Sequence, residues 1–263
     1  MASLAIAAAD QPQPVPTTTS RWRAALRLGG LLLLLIVMVP PHLIAKLGGR
    51  LSPWPRRFLG QAARIIGVRA TVEGAPLTPP TLAIANHLSW LDILILGGAT
   101  GTAFVSKADV STTPLVGWLA DQNHTLYVER ADRSDAHGQV RRIAEGIERD
   151  MPLTVFPEGT TGDGRTLLPF RPTLLAAVAP APPGTAVRPI AIDYGAAGPG
   201  IAWHSGESGV DNALRLLGRR GTLPVTVRLL DPLPPGEDRK AMARDAQAAI
   251  AAALPSATPS SGL

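Results

Sequence analysis

The chain of 263 residues contains no cysteine. That excludes disulfides, thiolate metal sites and an acyl-enzyme built on a cysteine. Besides His87 there are only His42, His124, His137 and His204, and no pair stands at metal-ligand spacing. No structural zinc is expected. No G-x-S-x-G segment is present, so the strained turn that presents a hydrolase serine is missing. No internal repeat is visible. Acidic residues are absent from Gln11 to Val72, a stretch that holds nine Arg or Lys. Nine cations less Asp10 give +8 for the first 72 residues, and 5 less 8 leaves −3 for the rest. The basic character therefore belongs to the N-terminal segment. The length suits one large domain, or one domain with appendages.

Beside those cations lies an apolar block. Leu28 to Pro41 is uncharged and Leu31 to Val39 is continuously apolar. With Arg27 and Lys46 snorkelling at its edges, the apolar span is Leu26 to Leu47, near the ~20 residues that cross a bilayer. Pro40-Pro41 interrupts the run, so a spanning helix and a bent or re-entrant insertion are both open. Cations flanking an apolar block favour an anionic membrane surface over nucleic acid. The block starts late and no A-x-A site follows it, which argues against a cleaved signal peptide. Residues 1–20 are rich in Ala, Pro and Thr and are expected to be disordered. Trp54 to Val68 follows a Ser52-Pro53 start signal. Phe58, Leu59, Ala62, Ile65 and Ile66 recur there at helical spacing among Arg56, Arg57 and Arg64. That pattern fits an amphipathic helix on a membrane face or an ordinary packed surface helix. Residues 21–67 are thus read as a membrane-anchoring helical segment.

From Val68 the pattern is α/β, a mixed central sheet flanked by helices and extending over 68–254. Strands are expected at Val68–Glu73, Thr81–Ala85, Thr102–Ser106, Thr125–Val128, Leu153–Phe156, Val187–Ile192 and Pro224–Leu230. Helices are expected at Leu88–Leu96, Thr113–Ala120, Ser134–Arg149, Arg171–Ala179, Gly209–Leu217 and Glu237–Leu254. Gly97-Gly98 would end the first of these, and Ser134 would cap the third. Residues 255–263 form a polar tail expected to be disordered.

The chemistry gathers where strands hand over to helices, the usual place for ligands in open α/β sheets. Thr81 to Ala85 leads into Asn86, His87, Ser89 and Asp92. His87 exchanges a proton near neutral pH, and a carboxylate five residues on holds its imidazole in one tautomer. Five helical residues turn through about 500°. The pair therefore meets only if His87 lies in the turn and Asp92 on the first helical turn. A second cluster, Phe156-Pro157-Glu158-Gly159-Thr160-Thr161, follows another apolar run. Asn86 and Ser89 also suit helix capping.

Four motifs stand in one order: Asn86-His87-x-x-x-x-Asp92, Tyr127-Val128-Glu129-Arg130, Phe156-Pro157-Glu158-Gly159-Thr160 and Val187-Arg188-Pro189-Ile190. Together, over roughly Val68 to Leu230, they resemble the glycerolipid (lysophospholipid) acyltransferase family typified by 1-acyl-glycerol-3-phosphate acyltransferase. The resemblance implies acyl transfer from a thioester, acyl-CoA or acyl carrier protein, to a lipid hydroxyl. It makes His87 the general base and Asp92 its orienting partner. It places Arg130 on an anionic head group and Glu158 on the acceptor, and Lys107 matches a lysine common in the family. Asn86, Ser89, Gly159, Thr160 and Thr161 complete the substrate-binding set, and the turn from Glu158 to Gly162 is the candidate oxyanion hole. A thioester is already activated, so no metal or other cofactor is expected, and with no cysteine the acceptor attacks directly. Where many relatives carry Arg-Ser after Phe-Pro-Glu-Gly-Thr, this chain has Thr161-Gly162-Asp163-Gly164. That form, followed by Leu167 to Phe170, also resembles lyso-ornithine lipid acyltransferases. Arg165, Arg171 and Arg188 are further cations near the motifs. The expected acceptor is 1-acyl-glycerol-3-phosphate, in phospholipid biosynthesis, with lyso-ornithine lipid as the alternative. The expected location is a bacterial inner membrane with the catalytic domain cytoplasmic. A thioesterase or lipase and a non-catalytic membrane adaptor are the rival readings.

Overall fold

Apolar residues of alternating direction build the centre of the molecule. The computed structural model describes residues 19–48, 52–128, 136–204, 206–254 and 258–259. In chain order these form α1 (Arg21–Leu47), α2 (Trp54–Ile66), β1 (Val68–Glu73), β2 (Thr81–Ala85), α3 (Leu91–Thr100), β3 (Ala103–Lys107), α4 (Pro114–Gln122), β4 (Leu126–Val128) and α5 (Ala136–Ile147). There follow β5 (Leu153–Val155), β6 (Thr166–Leu167), β7 (Ala186–Asp193), α6 (Gly198–Ile201), α7 (Gly209–Leu217), β8 (Leu223–Leu229), α8 (Arg239–Ala253) and β9 (Thr258–Pro259). Seven strands make one sheet in the order β1-β8-β7-β2-β5-β3-β4. Every neighbouring pair is parallel except β7 with β8. The sheet is therefore mixed and flanked by helices. Strand β2 is buried along its whole length. Its Ala83 and Ala85 face one core with α2, α3 and α7, while Leu82 and Ile84 face another with α5 and α8. This is the period-two alternation of a strand covered on both sides.

Two local expectations are corrected, and one left open is decided. Gly97 and Gly98 do not end α3, which runs to Thr100 and stops at Gly101 with φ 73°. The two glycines lie instead where α3 crosses α2. A Cβ on Gly98 would stand 2.4 Å from the Gly60 Cα, so only glycine permits this approach of backbones. Pro40 and Pro41 sit inside α1 without breaking it. The helix expected at Arg171–Ala179 is a 3₁₀ segment over Pro172–Val178. The proposed cap at Ser134 lies outside the described residues.

The buried face of α2, through Leu59, Ala62, Ala63 and Ile66, joins the core beneath the sheet. Helix α1 behaves differently, with Leu33, Ile36 and Ile44 among its exposed large apolar side chains. It is the single helix among the described residues long and apolar enough to cross a membrane, and so is the candidate membrane anchor. Both of its ends are tied to the rest of the chain. Near its start, Ser20 N–H donates to Gly218 O, and the Arg27 guanidinium donates to the carbonyls of Leu217 and Arg219, each at 2.9 Å. Near its end, the His42 ring lies 2.8 Å from Ser52 Oγ and 3.0 Å from Gln122 Oε1, which also accepts from Lys46.

Candidate active site

Strands β2, β3, β4, β5 and β7 run parallel or in register with parallel neighbours, so their C-terminal ends share one edge of the sheet. Whatever follows those ends is brought together. His87 follows β2, Lys107 ends β3, Glu158 follows β5 and Tyr194 follows β7. His87 lies in the turn and Asp92 on the first turn of α3, the arrangement their spacing demands. His87 Nδ1 stands 2.8 Å from Asp92 Oδ2. The same oxygen accepts the N–H groups of Leu88 at 2.7 Å and Ser89 at 2.9 Å. Asp92 Oδ1 accepts the Tyr194 hydroxyl at 2.5 Å. Asp92 is wholly buried, and a buried carboxylate is tolerated when its oxygens are filled in this way. With Nδ1–H donated to Asp92, Nε2 is left with its lone pair to take a proton. The His87 side chain keeps 21% exposure, and Phe156 stacks on its ring at 4.2 Å.

The loop after β5 grips the turn after β2 from both sides. Glu158 Oε1 accepts His87 N–H at 2.6 Å, and His87 O accepts Gly162 N–H at 2.9 Å. Glu158 Oε2 also accepts Leu168 N–H. Gly159 takes φ 77° to make this turn, and its N–H goes to Phe156 O. The amides of Thr160 and Thr161 make no hydrogen bond among the described residues. Asp163 shapes the next turn by accepting from Arg165 N–H and Thr166 N–H.

Burial pushes the Glu158 carboxyl up from 4.5 to about 8, against the pull of the His87 and Leu168 N–H groups, with Asp92 and Asp163 adding to the rise. Between these two values the folded chain holds a proton that the unfolded chain has released. The contribution to stability is thus present at the acidic end of that window and falls as pH rises through it. The melting temperature is expected to drop across the window, and Glu158→Gln is expected to flatten the drop. A slope that survives in Glu158→Gln would assign the dependence to other groups.

Not every candidate converges. Asn86 uses its amide on the strand beside it, donating to Ile192 O and accepting Ile192 N–H, so it braces the site. Ser89 is fully buried and its hydroxyl accepts from Leu91 N–H. Lys107 is exposed at the edge of the site. Arg130 lies outside the described residues. Arg165 and Arg171 are exposed near the second loop. Arg188 sits toward the other end of β7, buried, with its guanidinium spent on the carbonyls of Ala75, Pro76, Leu229 and Leu230. Five hydrogen bonds to those carbonyls leave its guanidinium no donor for a head group. Two partners of the dyad, Tyr194 and the Phe156 ring, escape the sequence reading. Tyr194 directly follows a strand that ends at the site, which was the available signal. Beside the site, Trp90 Nε1–H donates to Asn212 Oδ1. Asn212 in turn donates to Glu207, whose carboxyl the Arg215 guanidinium holds down at about 2.

A family model described as Acyltransferase matches residues 69–193. The lyso-ornithine lipid O-acyltransferase of Pseudomonas aeruginosa is 38% identical over 217 residues, covering 80% of this chain and 81% of that protein. The 1-acyl-sn-glycerol-3-phosphate acyltransferase of Neisseria gonorrhoeae is 31% identical over 113 residues, covering 43% and 44%. Among solved structures, the 1-acyl-sn-glycerophosphate acyltransferase of Thermotoga maritima superposes with a TM-score of 0.57 at 20% identity, over 74% of this chain and 75% of that one. That likeness is one of fold.

Proposed function

Because the chain belongs to the acyltransferase family that takes in lyso-ornithine lipid and 1-acyl-sn-glycerol-3-phosphate acyltransferases, we propose that it moves a fatty acyl group from a thioester to the free hydroxyl of a lysolipid. The observation that carries this reading is the His87–Asp92 pair, with Nε2 left to act. A hydroxyl becomes an effective nucleophile as a positioned base removes its proton. His87 Nε2 takes that proton as the acceptor oxygen attacks the thioester carbonyl carbon. The amides of Thr160 and Thr161 receive the oxyanion of the tetrahedral intermediate. The intermediate then collapses with cleavage of the carbon–sulfur bond, and Nε2 returns the proton to the departing thiolate. The donor, acyl-CoA or acyl carrier protein, is a co-substrate, and the residues of the site require no cofactor for these steps.

For the acceptor, lyso-ornithine lipid moves ahead of 1-acyl-glycerol-3-phosphate. The longer and closer similarity is to a lyso-ornithine lipid enzyme. Position 161 holds Thr in place of the Arg of many phosphate-head relatives, and Arg188 is occupied elsewhere. A head group bearing a carboxylate needs fewer cations than a phosphate does. Arg130 keeps the second reading open, since its motif position fits a phosphate. The membrane is the working place, read from the apolar α1 and its basic flanks, with the catalytic domain on the cytoplasmic face of a bacterial inner membrane.

A competition assay tests both levels. The full chain is given one labelled acyl thioester and equal amounts of the two lysolipids. Acylated lyso-ornithine lipid is expected to dominate. Preferential formation of phosphatidic acid would restore the other acceptor. Label released only as free fatty acid would make the protein a hydrolase, and no turnover of label would favour the adaptor.

A further inference from the structure

Away from the catalytic edge, α1, α2 and α4 leave a groove between them. Leu35 and Met38 of α1, Trp54 and Phe58 of α2 and Trp118 of α4 make it apolar, while His42 and Gln122 close it where α1 meets α4. No acidic residue lines it, and neither does any residue of the His87 site. Cations flank it. Lys46 is exposed and reaches Gln122 Oε1 at 3.2 Å. The Arg57 guanidinium lies 5.0 Å from the Trp54 ring. His124, next to the lining residue Asn123, is held below its ordinary range by burial and by the neighbouring charges of Arg149, Lys46 and His42. Lys46 and Arg57 thus set positive charge beside an apolar slot with no counter-charge in its walls. One helical turn from the lining residues Leu35 and Val39, α1 exposes Leu32, Ile36 and Leu43, so the slot borders that apolar flank.

We propose that this groove is a binding site for one anionic membrane phospholipid, an acyl chain lying along Met38, Phe58 and Trp118 and the phosphate resting against Lys46 at the His42 end. The apolar walls call for a hydrocarbon chain. The two flanking cations, with no acid in the walls, call for a negative head. Continuity with the exposed face of α1 supplies the route, since a chain can enter sideways from a bilayer without crossing water. The site is separate from the acceptor site, because its occupant is held by the anchor helices and by α4. It therefore stands whether or not the acyl-transfer reading does.

Bromine on an acyl chain quenches tryptophan fluorescence on contact, and Trp54 and Trp118 line the groove, which makes occupancy readable without any activity measurement. The full chain is reconstituted into vesicles of phosphatidylcholine and phosphatidylglycerol in equal parts, with the bromine carried by one lipid or by the other. Surface charge is then identical in both samples. The quenching lost on Trp118→Phe is expected to be several-fold larger when phosphatidylglycerol carries the bromine. Lys46→Glu is expected to cut that selectivity about five-fold, the equivalent of ~1 kcal/mol for one cation near an anionic lipid. Arg57→Glu should act in the same direction. Both substituted side chains are exposed. Equal quenching from either labelled lipid would overturn the proposal and leave only general surface attraction. So would a selectivity untouched by both charge reversals, or a chain that stays off the vesicles.

Discussion

Replacing His87 with alanine is expected to lower turnover by about 10²–10⁴-fold and to leave the melting temperature near that of the parent chain. The first half follows from the proton traffic, since no other described side chain offers a free basic nitrogen held by a carboxylate at this edge of the sheet. The second half follows from what the imidazole touches. Its ring contacts are the Asp92 carboxylate and the Phe156 face. The contacts that organise the loops belong to its backbone, N–H to Glu158 and C=O to Gly162, and these remain in alanine. Steady-state kinetics and thermal unfolding on the same preparation check both halves. A variant that retains most of the parent turnover would remove His87 from the mechanism.

Asp92→Ala is expected to cost activity and stability together. Its carboxylate accepts Leu88 N–H, Ser89 N–H, His87 Nδ1–H and the Tyr194 hydroxyl. Truncation leaves the two amides and the hydroxyl buried without an acceptor, at ~1–3 kcal/mol each, so destabilisation of at least ~3 kcal/mol is expected from that range. Asp92→Asn keeps the volume but turns two donor hydrogens toward a ring of donors. Turnover should fall by about 10² or more, as in triads where the orienting carboxylate is made an amide. Tyr194→Phe removes one donor only and should lower turnover about ten-fold with KM unchanged, matching the loss of about one hydrogen bond to a charged group. Unfolding midpoints and kinetic constants for the three variants give the comparison. An Asp92→Ala chain as stable as His87→Ala would show that the four contacts do not organise the turn.

How far the sequence carried depended on the range of the force involved. The strand positions were legible because burial on both faces of a sheet leaves continuous apolar runs, as in Thr81–Ala85, whose bounds the structure reproduces. The His87–Asp92 contact was legible because five residues across a turn restrict geometry strongly. Partners that arrive from far along the chain were not legible. Tyr194 lies 102 residues from Asp92, and nothing local to either residue announces the bond. Arg188 reads as a free cation in its motif, yet four carbonyls from two distant segments claim it. Gly97-Gly98 carries the same lesson. Glycine is a helix terminator by local propensity, but here a second helix needs its missing side chain more than the chain needs a stop.

The two ties on α1 also decide how the helix can move. A rod fastened near both ends to one body cannot swing away from it on a hinge. Its exposed apolar flank therefore keeps one bearing toward the His87 edge of the sheet, and whatever that flank meets is met by the whole body in a single orientation.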